Sequence, residues 1–346
     1  MDKRTRTVVV QATLMILLIL GFALLVVQLS GVFLLVFGAV VIAAMIRALA
    51  GPIQRLGLGE TVSVLVSLLI ILLVLGGTGW LFGSQIAQQL DVVAGRLPEG
   101  IKAVQSTLAT LPFGDQIANM RPSGGDIGSR LMSWTTTAVG GLFNFIVVII
   151  GAIYLALAPY DHVEGFARMF PQRSRDKVEE ALNATGRALH QFLIGQLITM
   201  VIIGIFVTVG LWIVGVPAPI ALGLICALLN FIPNFGAFIA AVPGVLLGFT
   251  VSPDTALYAV IVYVVAQQIE GNIITPIVQK RAVQLPPVLL IFGLLAFGVL
   301  FGTLGLLLGA PLTVVAYTLV MVLYSRDTLG DDVAVPGAAA EAKADA

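Results

Sequence analysis

The chain has 346 residues, of which 59% are apolar and only 10% are charged, with 18 basic and 18 acidic side chains. Soluble domains usually carry about 25% charged residues, so this composition excludes a soluble protein and predicts an all-α integral membrane protein. The zero net charge gives no indication of a nucleic-acid partner. With one cysteine, Cys226, and two histidines, no internal disulfide is available, and neither a metal site nor a cofactor is expected.

Apolar runs long enough to cross a bilayer, at about twenty residues each, occupy much of the N-terminal half. The first, residues 8–27, is longer than the apolar core of a signal peptide, so we expect a retained first span. Conventional spans are also predicted at 32–46, 62–82, 137–158 and 192–214. With the segments described below, they predict about seven to eight transmembrane segments.

A polar insertion separates the third and fourth predicted spans. Within residues 83–133, Ile86, Leu90, Val93 and Leu97 recur at helical spacing, so they line one apolar face. This pattern predicts a small extramembrane segment of amphipathic helices.

Shorter apolar runs in the C-terminal half indicate interrupted helices. Residues 220–229 and 237–249 are each too short to cross comfortably, and they predict a helical hairpin, either re-entrant or fully spanning. The run at 255–269 is followed by Glu270 and predicts a broken helix. Two final runs lie on either side of Gly302.

These patterns divide the chain into six consecutive segments. They are N-terminal transmembrane helices (1–82), the extramembrane amphipathic segment (83–133), transmembrane helix 4 (134–158), a cytoplasmic amphipathic and basic segment (159–190), a C-terminal transport core with hairpin and broken helices (191–325), and an acidic tail that we expect to be disordered (326–346). Basic residues in the short loops predict that both termini are cytoplasmic, provided that the hairpin begins and ends on one side of the membrane.

Glu270 is a carboxylic acid at the end of an apolar run, beside Gln267. Ionisable groups inside membrane segments are costly and commonly line pathways. Three interpretations stay open: a carboxylate paired with Lys280 or Arg281, an internal hydrogen bond, or direct contact with a solute or coupling ion. Discontinuous helices often form such sites, and Gly271, Asn272 and Pro276 are expected to interrupt this one.

The hairpin turn at 230–236 is a second candidate site. Asn230 and Asn234 lie on either side of Pro233, which has no backbone N–H and disrupts the preceding turn. The two amides are expected either to bind a polar substrate or to cap the two short helices. Five glycines are expected to serve packing or hinge roles, in part because small residues at four-residue spacing let helices approach closely; they are Gly236, Gly271, Gly302, Gly305 and Gly309.

Three segments together resemble the signature motifs of the autoinducer-2 exporter family: 228–236 (LLNFIPNFG), 268–276 (QIEGNIITP) and 305–312 (GLLLGAPL). The resemblance implies an α-helical permease that exports small molecules, the quorum-sensing signal autoinducer-2 in some members and sodium in exchange for protons in others. It also implies a homo-oligomer, a pentamer, with elevator-like movement. The substrate-binding residues that it favours are Asn230, Pro233, Asn234, Gln267, Glu270, Asn272 and Pro276.

The leading hypothesis is a secondary transporter in the inner membrane that exports a small polar solute or a monovalent cation. A sodium/proton antiporter, a passive oligomeric channel and a non-transporting membrane scaffold are the alternatives. An enzyme is not expected, because the sequence shows no nucleophile–base pair, Walker lysine or metal-ligand cluster.

Overall fold

The structure, a computed structural model, describes residues 28–109, 144–233, 235–279, 285–326 and 329. Within these ranges every regular element is a helix, which confirms the all-α prediction. The predicted first span, the later part of the insertion, the residue pair Lys280 and Arg281, and the C-terminal tail beyond 329 lie outside the described residues.

The helices are connected by short turns in the described ranges. In chain order they are α1 (Ser30–Gln54), α2 (Glu60–Ala109), α3 (Asn144–Leu157), α4 (Pro159–Ala167), α5 (Gln172–Ile213), α6 (Pro219–Leu229), α7 (Gly236–Phe249), α8 (Pro253–Ile269), α9 (Thr275–Gln279) and α10 (Pro287–Leu319). Two π-helical segments, Glu270–Ile274 and Val320–Arg326, continue α8 and α10.

Among the described residues, four helices are long and apolar enough to cross a membrane, judged by length and composition: Ser30–Gln54, Gln172–Ile213, Pro253–Ile277 and Pro287–Arg326. A fifth arises if α3 and α4, which meet at 90°, are counted as one span. The chain is therefore a multi-pass helical membrane protein. The total of seven to eight segments stays a prediction, since part of the chain lies outside the described residues.

The helix α10 doubles back on itself at Gly302. The backbone there has φ 66° and ψ −145°, a conformation that residues other than glycine rarely adopt. A Cβ placed on Gly293 would lie 2.8 Å from Thr313 Cγ2, and one on Gly309 would lie 3.3 Å from Leu294 Cα. In a straight helix Gly293 and Thr313 would be about 30 Å apart, so the two predicted apolar runs lie side by side as antiparallel limbs.

Buried side chains form three main apolar clusters. The hairpin cluster joins the later part of α5 to α6, α7 and α8, and includes Leu211, Leu222 and Leu247. The central cluster joins α1, the middle of α5, the turn between α6 and α7, and α10, and includes Leu193 and Leu294. The N-terminal cluster joins α1, α2 and α3. Because α5 contributes to the hairpin and central clusters, it connects these two, while α1 connects the central cluster to the N-terminal one.

The long helix α2 contains both the third predicted span and the start of the predicted insertion. Val93 is buried in the hairpin cluster and Leu97 packs against it. The Gln89 side-chain oxygen accepts a 3.1 Å hydrogen bond from the backbone N–H of Ala221, one of the first-turn donors of α6 that have no partner within their own helix. The later two residues of the predicted apolar stripe, Val93 and Leu97, therefore lie on the face of α2 that contacts the hairpin.

Candidate transport site

The helices α6 and α7 form a short hairpin with a tight tip. Pro219 occupies the first position of α6, where its fixed φ suits a helix start. At 11 and 14 residues, the two helices are about 16 and 21 Å long, each shorter than a hydrocarbon core of about 30 Å. Gly236 begins α7 directly against the Leu229 carbonyl, and a Cβ there would lie 2.5 Å from Asn230 Cα. Only glycine allows this close approach.

The hairpin tip lies between two apolar clusters. Ile232 is buried in the central cluster, and Phe231 and Phe235 pack against the same cluster. The arms of the hairpin belong instead to the hairpin cluster. Pro233 is buried at the tip, whereas Asn234 lies outside the described residues. The tip therefore joins two separately packed parts of the molecule.

The predicted break after α8 is wrong in its form. The helix continues through a π-helical segment, Glu270–Ile274, in which the Thr275 N–H donates to the Glu270 carbonyl. Proline lacks an N–H and clashes with the carbonyl four residues before it in an α-helix, so the wider π turn accommodates Pro276 without an interruption. Such turns are frequent at functional sites.

A buried polar centre connects the hairpin tip to its two neighbouring helices. Asn230 Nδ2 donates a 3.2 Å hydrogen bond to Glu270 Oε1, and Gln196 Nε2, on α5, donates to the Asn230 carbonyl. Their exposed fractions are 0% for Asn230, 5% for Glu270 and 8% for Gln196. Two residues that the sequence singled out separately, 40 positions apart, are thus direct partners.

Several buried polar atoms of this centre have no hydrogen-bond partner among the described residues: Asn230 Oδ1, Glu270 Oε2, Gln267 Oε1 and the Tyr263 hydroxyl. Leaving such a group unpaired costs about 1–3 kcal/mol. None of the ion pairs in the described ranges includes Glu270. The predicted pairing with Lys280 or Arg281 lies outside those ranges, and the internal hydrogen bond to Asn230 satisfies only one carboxylate oxygen.

Other predicted site residues lie away from this centre. Asn272 is exposed and donates to Gln268 Oε1 at 2.8 Å. Gly271 is exposed in the same π-helical segment, and Pro276 is exposed in α9. Gly305 packs against the Phe297 carbonyl between the limbs of α10. Of the predicted set with described side chains, Asn230, Gln267 and Glu270 contribute polar atoms to the centre.

Sequence reasoning missed two contributors, Gln196 and Tyr263. The signal for Gln196 in the sequence was a polar amide within a predicted conventional span, and the structure shows that this side chain is buried. Tyr263 precedes Gln267 by four residues and therefore shares its helix face. No group of three or more potential metal ligands occurs in the described part of the chain.

Comparison with known proteins identifies the family. A profile of the AI-2E family transporters matches residues 13–325. The Bacillus subtilis (strain 168) protein YrrI is 37% identical over 145 residues, covering 42% of this chain and 41% of YrrI. YueF of the same organism is 26% identical over 297 residues, 80% of each chain, and MT0215 of Mycobacterium tuberculosis (strain CDC 1551 / Oshkosh) is 26% identical over 312 residues, 84% of each.

These three relatives are named as candidate transport proteins. The match spans less than half the length of YrrI but four fifths or more of the other two. The family profile covers nearly the whole chain and includes all three motifs on which the resemblance was based. The resemblance is therefore confirmed, and the chain belongs to the AI-2E family of transporters.

Proposed function

We propose that the protein is a secondary transporter that exports a small polar solute by alternating access. The observation that carries this proposal is the buried polar centre at the hairpin tip, where Asn230 and Glu270 each retain an oxygen that has no partner among the described residues. A membrane anchor has no need for such atoms, and burial makes them costly. A solute that hydrogen-bonds to them offsets that cost only while it is bound.

The position of the centre supports alternating access. The arms of the hairpin pack with α8 in the hairpin cluster, and the tip packs on the central cluster. A displacement of one cluster past the other would change which side of the membrane reaches Asn230 and Glu270. We propose an elevator-like displacement of this kind, with the hairpin-bearing part as the moving body.

The energy source and the cellular setting complete the proposal. The sequence contains no nucleotide-binding motif, so an ion gradient is the expected source of energy. We propose an inner-membrane location with both termini in the cytoplasm and a homo-oligomeric, pentameric assembly. Autoinducer-2 and sodium ions are the first solutes to examine, because they follow from the family resemblance. The protein is not proposed to be an enzyme.

Proteoliposomes containing the full chain test this proposal. They are loaded with autoinducer-2 or with sodium ions, and efflux is followed with and without an imposed proton gradient. We expect saturable efflux of at least one solute, reduced at least tenfold in Glu270→Gln and in Asn230→Ala. Asn272→Ala is the matched control, because Asn272 is an exposed amide only two residues from Glu270 and its partner is Gln268, and it should transport normally.

The other outcomes separate the alternative functions. Normal efflux in both Glu270→Gln and Asn230→Ala would refute the site. Efflux that does not saturate, together with single-channel currents, would indicate a passive channel. Sodium efflux that requires an opposing proton gradient would indicate a sodium/proton antiporter. An absence of flux, with a partner protein captured through the exposed part of α2, would indicate a scaffold.

A further inference from the structure

We propose that the site recognises an amphipathic amine, with its apolar body in the cleft between α7 and α8 and its ammonium group at Glu270. This inference rests on the proposed function and deepens it, because it names the chemical class of the solute. Three observations carry it: the shape and lining of the cleft, the row of polar groups along α8, and the acceptor character of the atoms that lack partners.

The cleft has a volume of about 360 Å³ and lies between α7 and α8. That volume is within the range of small-molecule sites, roughly 300–1,000 Å³. Its wall is largely apolar, with Phe238 and Val245 from α7 and Val260 and Val264 from α8. A ligand that fills it must therefore present an apolar surface over most of its length.

One end of the cleft is polar because of a single face of α8. Tyr263 and Gln267 both line the cleft, and they are four residues apart, so they are neighbours on the helix surface. Glu270 follows after three more residues, on the same face and beyond the cleft. Tyr263, Gln267 and Glu270 thus form a row along one face of α8, and the proposed ligand extends from the cleft along this row to the carboxylate.

Tyr263 is held tightly in this row. It is 4% exposed, and its ring lies against Gly244 of α7, where an added Cβ would come within 2.5 Å of the hydroxyl oxygen. The hydroxyl has no partner among the described residues. A buried phenol usually finds a hydrogen-bond partner, so a polar group of the ligand is the expected one.

The chemistry of the remaining atoms selects a donor on the ligand. Asn230 donates one of the two N–H groups of its amide to Glu270. Its free Oδ1 is an acceptor only, and the free Glu270 Oε2 is an acceptor only when the carboxylate is ionised. An ammonium group donates up to three hydrogen bonds and supplies the positive charge that a buried carboxylate requires. An anion would be repelled, and a neutral alcohol would supply one donor and no charge.

Binding to the full-length protein in phosphatidylcholine nanodiscs tests this inference, with empty nanodiscs as the blank. Three ligands of similar size but different charge are compared: 2-phenylethylamine, 2-phenylethanol and 3-phenylpropanoate. Tritiated 2-phenylethylamine gives direct binding, and the other two are measured by displacement at pH 7. We expect the amine to bind at least tenfold more tightly than the alcohol, and the carboxylate not to displace it.

Two pairs of variants localise the binding. Glu270→Gln should remove the preference for the amine over the alcohol and leave alcohol binding within threefold. Val264→Trp should fill the cleft and reduce binding of both ligands at least tenfold. Leu257→Trp is its matched control, because Leu257 is an equally exposed residue of α8 that does not line the cleft (57% against 51% exposed), and it should bind normally.

Equal affinity for the three ligands in the unmodified protein would overturn the inference without recourse to any variant. Normal amine binding in Val264→Trp would also overturn it. Failure of the proposed function gives a different result: amine binding would persist while no solute moves in proteoliposomes. Conversely, saturable autoinducer-2 or sodium efflux without amine binding would overturn the solute class and leave the transport proposal intact.

Discussion

The N-terminal cluster and the hairpin cluster are both built from apolar helices, but they differ in how their polar groups are paired and in how closely their helices approach. In the first, Arg47 pairs with Glu60 at 2.7 Å and donates to the Ala156 carbonyl at 3.1 Å. In the second, Glu270 has one amide partner at 3.2 Å, and its other oxygen has none in the part of the chain that the structure describes. The Arg47 guanidinium is thus paired with groups of the protein, whereas Glu270 retains an oxygen that can accept a hydrogen bond from a bound group.

Helix spacing differs in the same direction. In the N-terminal part an added Cβ would lie 3.8 Å from Val148 at Gly38 and 3.4 Å from Ala39 at Gly151, which are ordinary contact distances. In the hairpin part it would lie 2.7 Å from Ala227 at Gly204 and 2.8 Å from Ala256 at Gly248. Close spacing limits relaxation of the surrounding helices, so the polar groups cannot readily turn towards new partners. The comparison teaches that the polar centre lies in the more closely packed of the two parts.

The largest effect that we expect on this comparison comes from adding a methyl group to each kind of glycine. Gly244→Ala would force Tyr263 or α7 to move, because the new Cβ would lie 2.5 Å from the Tyr263 hydroxyl oxygen. Overpacking of this kind typically costs about 2 kcal/mol. The apparent melting temperature in detergent, followed by tryptophan fluorescence, should fall by several degrees.

Gly76→Ala is the control for that substitution. Among the described residues, no heavy atom lies within 4 Å of a Cβ added at Gly76. Alanine favours a helix interior over glycine by about 0.5–1 kcal/mol, so the melting temperature of this variant should stay the same or rise. Equal losses in Gly244→Ala and Gly76→Ala would show that the two parts do not differ in packing.

A smaller effect is expected from the hydrogen bond that holds the hairpin tip to α5. Gln196→Leu keeps the approximate size of the side chain but leaves the buried Asn230 carbonyl without the donor that it has now. An unpaired buried acceptor costs about 1–2 kcal/mol. We expect a lower melting temperature together with reduced transport, whereas Asn272→Ala, which removes an exposed amide pair, should change neither. A Gln196→Leu protein with normal stability and normal transport would contradict this role.

The smallest effect is expected at the ion pair of the N-terminal part. Arg47→Met should destabilise the protein by about 1 kcal/mol, because partly exposed pairs are weak but the Ala156 carbonyl also loses a donor. Transport per folded molecule should be unchanged, as measured in proteoliposomes normalised to monodisperse protein. A loss of transport greater than the loss of folded protein would mean that the N-terminal part also belongs to the transport site.

The sequence allowed the hairpin and both polar positions to be predicted, but not how they are connected. Asn230 and Glu270 each stood out as polar residues at the ends of short apolar runs, a local property. Their hydrogen bond depends on where α8 lies against the hairpin, and no local pattern contains that. Gln196 was missed because one amide in an apolar span gives no indication of which neighbour it faces.

Backbone geometry and some element boundaries were predicted only in part. Gly271, Asn272 and Pro276 correctly indicated an irregularity, yet the chain resolves it as a π turn, since one wider turn removes the proline clash at less cost than unwinding. Gly302 is one of 37 glycines, so it does not stand out in the sequence. Its positive-φ conformation depends on contacts between the two limbs of α10, which no local pattern contains. The polar character of the insertion predicted a segment separate from the third span. Instead the helix continues through residue 83, and α2 is a single helix.

The length of α2 determines how far a tilt of this helix would move the hairpin. With 50 residues, α2 is about 75 Å long. It is held near its start by the Glu60–Arg47 pair, and at Gln89, about 44 Å further along, it is bonded to the first turn of α6. A tilt of about 5° around the Glu60 end would carry Gln89 sideways by about 4 Å. A small rigid-body rotation of α2 beside α1 would therefore displace the first turn of α6, where the hairpin begins, by about the size of a side chain.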